Sequence, residues 1–329
     1  MRRNGKMNRD YVYKSQDIVN EVKKAVIGKD DVVTKVMLAV LARGHVLLED
    51  IPGVGKTTLA VAFSKAMNLN YNRVQFTPDV MPSDVTGFSI YDKEKQEFVY
   101  KPGAAMCNLF LVDEINRTSS KTQSALLEVM EEGSITVDGV TRQTPRPFVV
   151  IATENPIGSV GTQLLPESQL DRFAVCLTMG YPDAESELNI LRDRKGHNPL
   201  DDIEPIADGE EIMAMQNEVD EVHVHDDIYR YITEIAAATR NHPDLRLGLS
   251  PRGTLAVAKM ARANAYYLGR EYVVPDDVRA VLKATAGHRV LLTSKAGVAG
   301  LTGGDILEKI LGEIEPPSIQ QPARPRRDR

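Results

Sequence analysis

Residues Val46 to Phe63 read VLLEDIPGVGKTTLAVAF, and the reading of the fold turns on them. Val46–Glu49 is a short apolar run. A Gly-rich turn follows, then Lys56, Thr57 and Thr58, and then the spacing of a helix. A strand that enters a Gly-rich turn and leaves it as a helix is the context of a phosphate-binding loop. The N–H groups of Gly53, Val54 and Gly55 would wrap phosphates, and the helix N-terminus would add positive potential. Lys56 is a point charge for the β- and γ-phosphates, and the Thr57 hydroxyl can hold Mg²⁺. One position departs from the pattern. The spacing G-x-x-x-x-G-K-[ST] asks for glycine at position 50, where the chain has Asp50. Asp50 stands before the residues whose N–H groups form the cradle, so it alters the regular pattern more than the chemistry.

Around this stretch, short apolar runs alternate with helical spacing. The expected strands are Val46–Glu49, Arg73–Phe76, 108–113, 148–153 and 173–179. Near-continuous apolar strands separated by helices imply an α/β fold with a five-stranded parallel sheet between helices. Residues 79–105 and 133–148 interrupt the rhythm as two hairpins, the second turning at Asp138-Gly139. Beyond "GYPDAES" at 180–186 the pattern is helical throughout, with helices expected at 184–195, 208–219, 226–240, 251–268 and 275–285. The expected organisation is a loose N-terminus (1–14), a nucleotide-binding core (15–182), an all-helical lid (183–315) and a disordered tail rich in Pro and Arg (316–329).

A second motif completes the first. "NLFLVDEINR" is an apolar strand ending in Asp113-Glu114. Asp113 at the strand end can hold Mg²⁺, while Glu114 can polarise an attacking water. That pairing suits nucleotide hydrolysis rather than transfer to a substrate hydroxyl. "VVIATENP" places Asn155 beyond the next strand, where it can orient that water. "LPESQLDRF" places Arg172 before the fifth strand, and "LGLSPRG" places Arg252 at the start of a helix in the second half.

Together, "PGVGKT", "QFTPDVMPSDVTG", "DEINRTSSKTQSALLEVMEEGSITVDG", "ATENP", "LPESQLDRF" and "LSPRG" resemble the MoxR family of AAA+ ATPases, from about residue 15 to 315. In that family an acidic residue at the place of Asp50 is common. The resemblance implies a P-loop AAA+ core and a C-terminal lid. It makes Lys56 and Thr57 the Walker A residues, and Asp113 and Glu114 the Walker B pair. Asn155 becomes sensor 1, Arg172 an arginine finger serving the neighbouring subunit, and Arg252 sensor 2, reaching from the lid. The nucleotide-binding set is Gly53, Val54, Gly55, Lys56, Thr57 and Thr58, with Ile27 and Gly28 of "VIGKDD" near the adenine. The implied cofactors are ATP and Mg²⁺. The implied assembly is a homo-oligomeric ring, a hexamer, that remodels or activates a protein client through a von Willebrand A-domain adaptor.

Composition fits a cytoplasmic protein. The net charge of −6 argues against a broad nucleic-acid surface, so a nucleic-acid motor of the same AAA+ branch is the second reading. An ATP-dependent binding switch without turnover is the third, and Glu114, Asn155 and Arg172 count against it. No apolar run reaches the ~18 residues of a membrane span, and the start "MRRNGKMNRD" lacks the apolar segment of a signal peptide. Cys107 and Cys176 read as core thiols. His223 and His225 have no third ligand nearby and read as a short extended stretch before the helix at Asp226.

Overall fold

The computed structural model describes residues 7–51, 53–155, 165–193 and 198–318. Helices α1 (Arg9–Ala25) and α2 (Asp30–Leu41) lead into β1 (Val46–Glu49), α3 (Lys56–Ala66) and β2 (Tyr71–Gln75). A short α4 (Pro82–Thr86) precedes the hairpin of β3 (Gly87–Asp92) and β4 (Glu97–Pro102). Then come β5 (Leu109–Asp113), α5 (Ser120–Glu132), the hairpin of β6 (Ser134–Val137) and β7 (Val140–Gln143), and β8 (Val149–Glu154). The one-turn α6 (Glu167–Leu170) and β9 (Val175–Leu177) complete the sheet region. The C-terminal part comprises α7 (Ala184–Asp193), α8 (Gly209–Glu221), α9 (Asp226–Asn241), β10 (Leu245–Leu247), α10 (Pro251–Tyr267), α11 (Pro275–Ala286), β11 (Leu291–Leu292), α12 (Ser294–Val298) and α13 (Gly303–Glu313).

The five central strands are all parallel and run in the order β2-β5-β8-β1-β9. Both faces are covered over β1, β5, β8 and β9, which is why these strands read as apolar runs rather than alternations, while the edge strand β2 is partly exposed. Strand periodicity still sorts the residues. Val46, Leu48, Leu111 and Ile151 pack with Ile18, Val36 and Phe63 on one face. Leu47, Phe110, Val112 and Val150 pack with Leu127 and Phe173 on the other. The strands expected at 73–76 and 173–179 are observed at 71–75 and 175–177.

Two expectations are corrected. Residues 1–14 are not uniformly loose, because α1 begins at Arg9. Asn8 caps it, its Oδ1 accepting from the Asp10 N–H at 3.1 Å, and Val12 is buried. The C-terminal part is helical, but β10, between α9 and α10, pairs antiparallel with β11, which follows α11, and α12 and α13 extend it beyond the five helices expected. Residues 1–6 and 319–329, the ends expected to be disordered, lie outside the described residues.

The C-terminal helices are fastened to the segment just before β9. Arg289 is buried; its Nε donates to Asp171 Oδ1 at 2.7 Å and its Nη2 to the Phe173 carbonyl at 2.5 Å. Ser250, the N-cap of α10, donates to Asp171 Oδ2 at 2.8 Å. His288, on the same segment as Arg289, lies 3.2 Å from the Phe173 carbonyl, and burial pushes its imidazole down to about 3, so it stays neutral. Both hairpins project from the sheet. The β6–β7 turn has Asp138 and Gly139 at φ 53° and 74°, as a type I′ turn requires. Arg142 lies over the Tyr100 ring at 4.0 Å and joins the two hairpins.

Candidate active site

A parallel sheet aims all its C-terminal strand ends in one direction, and the loops there form the crevice where ligands bind. Gly53–Thr58 follow β1, Asp113 and Glu114 end or follow β5, and Asn155 follows β8. All of these but Val54 line one cavity with Arg73 and Gln75 of β2. Gly53 and Gly55 sit at φ 88° and 95°, conformations that strain an L side chain. A Cβ built on Gly53 would meet nothing within 4 Å, so the loop curls around open space. Lys56 is buried, and its Nζ donates to the Asp50 carbonyl at 2.8 Å. Burial pulls the Lys56 ammonium below its ordinary range, against the opposing pull of Asp50, Asp113 and Glu114. Phosphates entering the loop would offer that ammonium a better acceptor. Thr57 and Asp113 supply a hydroxyl and a carboxylate, the hard oxygen donors that Mg²⁺ prefers. The cradle and these donors therefore fit a magnesium–nucleotide.

Glu114 is held rather than free. It occupies the left-handed region at φ 57°, and its N–H donates to Thr153 Oγ1 at 2.9 Å. Asn155 Nδ2 donates to Oε1 at 2.8 Å, Arg117 Nη1 to Oε2 at 2.8 Å and Gln75 Nε2 to Oε2 at 3.3 Å. Burial raises its pKa, but these bonds outweigh burial and hold the carboxyl below its usual range. Sequence reasoning placed Glu114 and Asn155 on one water. In the structure Asn155 touches Glu114 directly.

A second cavity borders the loop. It is lined by Gly53, Val54, Gly55 and Thr58 of the loop and α3, by Ile27, and by Tyr181, Pro182, Ile190 and Leu191. Gly53, Gly55 and Thr58 border both cavities, so a phosphate chain and an apolar ring can lie on either side of one loop. Gly28 does not line it. At φ 74°, its Cβ would fall 2.3 Å from Ser186 Oγ, so Gly28 lets the α1–α2 turn approach α7. Its neighbours Ile27 and Lys29 do line the cavity.

Asp50 also acquires a purpose. Its side chain is buried, and Oδ2 accepts the Met179 and Gly180 N–H groups at 2.5 and 2.7 Å. Met179 and Tyr181 line the second cavity, so Asp50 fastens its far wall to the entry of the phosphate loop. Sequence spacing could not show a partner 129 residues away.

Arg172 and Arg252 stand elsewhere. Arg172 precedes β9 and therefore lies at the N-terminal end of the sheet, opposite the phosphate loop. Its Nη1 donates to Glu131 Oε2 and to the Leu127 carbonyl, each at 2.7 Å. Its Nε is buried and finds no acceptor among the described residues. Arg252 donates to the other oxygen of Glu131. Both arginines line a third cavity with Lys259, which lies two turns along α10 from Arg252. Arg252, expected to reach a nucleotide from the lid as sensor 2, thus stands beside Arg172 and not in the phosphate cavity of its own copy. Ser250 and Arg289 clamp the start of α10 to Asp171, which turns Arg252 toward Arg172. Glu131 and Lys259 were missed by the sequence reading. The only signal was the acidic pair in "MEEG".

His223 and His225 show no metal geometry. His223 bridges to Tyr272, and His225 caps α9 through Asp227 N–H. The described residues contain no cluster of three metal-ligating side chains and no helix long and apolar enough to cross a membrane. Cys107 and Cys176 are free thiols; burial pushes Cys107 up to about 12.

Comparison with known proteins follows this division of the chain. The family model described as "ATPase family associated with various cellular activities (AAA)" matches residues 45–175, from the start of β1 into β9. An AAA lid domain model matches residues 237–310. The uncharacterized protein YeaC of Bacillus subtilis is 47% identical, over 91% of this chain and 93% of that protein. The chaperone MoxR1 of Mycobacterium tuberculosis is 35% identical, over 94% of this chain and 84% of that protein. A crystal structure from Cytophaga hutchinsonii, 34% identical, superposes with a TM-score of 0.87 and covers 94% of this chain and 96% of its own.

Proposed function

Because this chain belongs to the MoxR family of AAA+ ATPases, we propose that it hydrolyses ATP at sites completed between neighbouring copies and uses the cycle to remodel or activate a client protein. Lys56 and the N–H groups of Gly53–Thr57 bind the phosphates, and Ile27 and Tyr181 enclose the adenine. Thr57 and Asp113 hold Mg²⁺, whose charge offsets that of the phosphates. Glu114 takes a proton from the attacking water once Asn155, Gln75 or Arg117 releases it. Arg172 and Arg252 of one copy reach the γ-phosphate bound by the next.

One observation carries this reading. The phosphate loop and the two arginines occupy opposite ends of the same parallel sheet. Strands of three to six residues at ~3.3 Å per residue hold them at least ~10 Å apart. That separation, with both arginines tied to Glu131, favours a site in which copies joined head to tail in a ring bring the arginines of one to the phosphate of the next. The hexamer, the von Willebrand A-domain adaptor and the client are part of this proposal and rest on the family resemblance alone.

The hairpins are the surfaces that pass the motion on. Phe88, Ile90, Tyr91 and Phe98 of β3 and β4 are exposed, and Tyr91 stacks edge-on against Phe98 at 5.4 Å. Arg142 of the second hairpin is committed to Tyr100 and to the Val137 and Val140 carbonyls, while the exposed Lys93 and Lys95 of the first alternate with Asp92, Glu94 and Glu97, which is not the unbroken basic surface of a nucleic-acid motor. The test is turnover and capture together. Glu114→Gln should bind ATP and hydrolyse it ~10²–10⁴-fold more slowly. In ATP it should retain a protein partner that it releases when Lys93–Gln96 is replaced by a short Gly linker. Turnover by Glu114→Gln at the wild-type rate would end this assignment of the base.

A further inference from the structure

Arg73 belongs to none of the motifs, yet it lines the phosphate cavity as the second cation beside Lys56. It stands on β2, an edge strand of the sheet. In the register of β2 and β5, Gln75 pairs with Asp113 and Arg73 with Leu111, so Arg73, Gln75 and Asp113 share one face of the sheet. Arg73 Nε donates to Asp113 Oδ2 at 2.7 Å. The other oxygen, Oδ1, has Thr153 Oγ1 at 3.4 Å. Asp113 is nearly enclosed, with 11% of its side chain exposed, while 48% of the Arg73 side chain faces solvent. The carboxylate is fixed, and the guanidinium has room to swing.

The pair neutralises the one carboxylate that must also bind a divalent cation. A guanidinium and Mg²⁺ cannot share one carboxylate without strong repulsion across a few ångströms. The guanidinium is the partner that can leave, since it hangs from a flexible stem over an open cavity. The group next to it in that cavity would be the phosphate chain, and Arg is suited to phosphate oxygens.

We propose that Arg73 is a displaceable counter-ion: it holds Asp113 in the empty site, gives it up when the magnesium–nucleotide enters, and transfers its contact to the phosphates. This rests on the reading of the cavity as a magnesium–ATP site. In this role Arg73 keeps Asp113 from repelling the incoming nucleotide, and it sets a threshold that the metal must overcome.

The test compares nucleotide affinity with and without metal. Adenylyl imidodiphosphate, which is not hydrolysed, is titrated into wild type, Arg73→Ala and Arg73→Lys by calorimetry, in excess EDTA and in a Mg²⁺ series. Without metal, Arg73→Ala exposes the nucleotide to a bare Asp113, and affinity should fall about ten-fold, as expected for one lost charge contact. With metal, the variant loses a phosphate contact but also loses the competitor for Asp113. The ratio of metal-free to metal-bound dissociation constants should therefore rise about ten-fold, and half-saturation should need less Mg²⁺. Arg73→Lys, which keeps the charge, should stay near the wild-type ratio. A purely structural role would change both affinities by the same factor and leave the ratio unchanged, which overturns the proposal. Thermal melting of each variant separates misfolding from this result. If wild type bound the analogue in neither condition, the reading of the cavity itself would fail.

Discussion

Asp50→Ala tests why this chain departs from glycine at the entry of its phosphate loop. Asp50 is 4% exposed, and its carboxylate accepts three N–H groups: Ile51 at 2.9 Å, Met179 at 2.5 Å and Gly180 at 2.7 Å. The first is local and survives partly in any turn. The other two join segments far apart in the chain, and alanine leaves both donors without their acceptor. Hydrogen bonds to a charged acceptor contribute ~1.5–3 kcal/mol each. Two bonds to a single oxygen are not additive, so the loss should be about 3 kcal/mol. Asp50→Asn keeps one oxygen and should lose about half of that. The effect should also be functional, because Met179 and Tyr181 line the cavity beside the loop. Freed from Asp50, this wall should cost about ten-fold in nucleotide affinity, or ~1.4 kcal/mol. Urea unfolding followed by circular dichroism reads the first quantity, and titration with a fluorescent ADP analogue reads the second. Asp50→Gly, which restores the regular motif, should behave like alanine or worse. An Asp50→Ala protein within ~0.5 kcal/mol of wild type, with unchanged nucleotide affinity, would refute the clasp.

Glu154 predicts a pH dependence. Burial, with Glu49 beside it on β1, pushes its pKa from 4.5 to about 7. The folded chain thus holds a proton that the unfolded chain has released, so its contribution to stability declines as pH rises from about 4.5 to about 7. Glu154→Gln should remove that slope and gain ~1–3 kcal/mol at pH 8 in chemical denaturation. A slope unchanged in the variant would show that Glu154 is not its source. Glu131→Ala should release Arg172 and Arg252 together. ATP binding should persist while kcat falls at least ~10-fold, since misplacing a charge-stabilising group costs rate rather than affinity. A raised KM at constant kcat would contradict that role.

The parts legible in sequence were those set by local pattern. The strands β1, β5, β8 and β9 are apolar because both faces of the sheet are covered there, and Asp138-Gly139 marks its turn because few other pairs accept two positive φ angles. Gly53, Gly55, Lys56, Thr57, Asp113 and Glu114 converge because each sits at a strand end that the topology aligns. What stayed hidden depended on docking. The neighbourhood of Arg252 was not legible because Ser250 and Arg289 fix α10 through Asp171, a contact that no spacing encodes. Arg73 and Asp50 act on partners 40 and 129 residues away. The start of α1 was missed because the cap Asn8 lies in a polar run whose one deeply buried apolar residue is Val12.

The claim that the site is shared between copies is tested most directly by mixing two inactive proteins. Lys56→Ala lacks the phosphate-binding ammonium but keeps Arg172. Arg172→Ala keeps the whole phosphate loop but offers no finger to its neighbour. Each alone should hydrolyse little ATP, with the finger worth ~10³–10⁵ in rate. Mixed in equal amounts and allowed to exchange subunits, about a quarter of the head-to-tail interfaces pair an intact loop with an intact finger. ATPase activity should therefore recover to about a quarter of the wild-type rate per subunit. Mixed rings with no recovered activity, or an Arg172→Ala protein that turns over ATP unaided, would contradict the account.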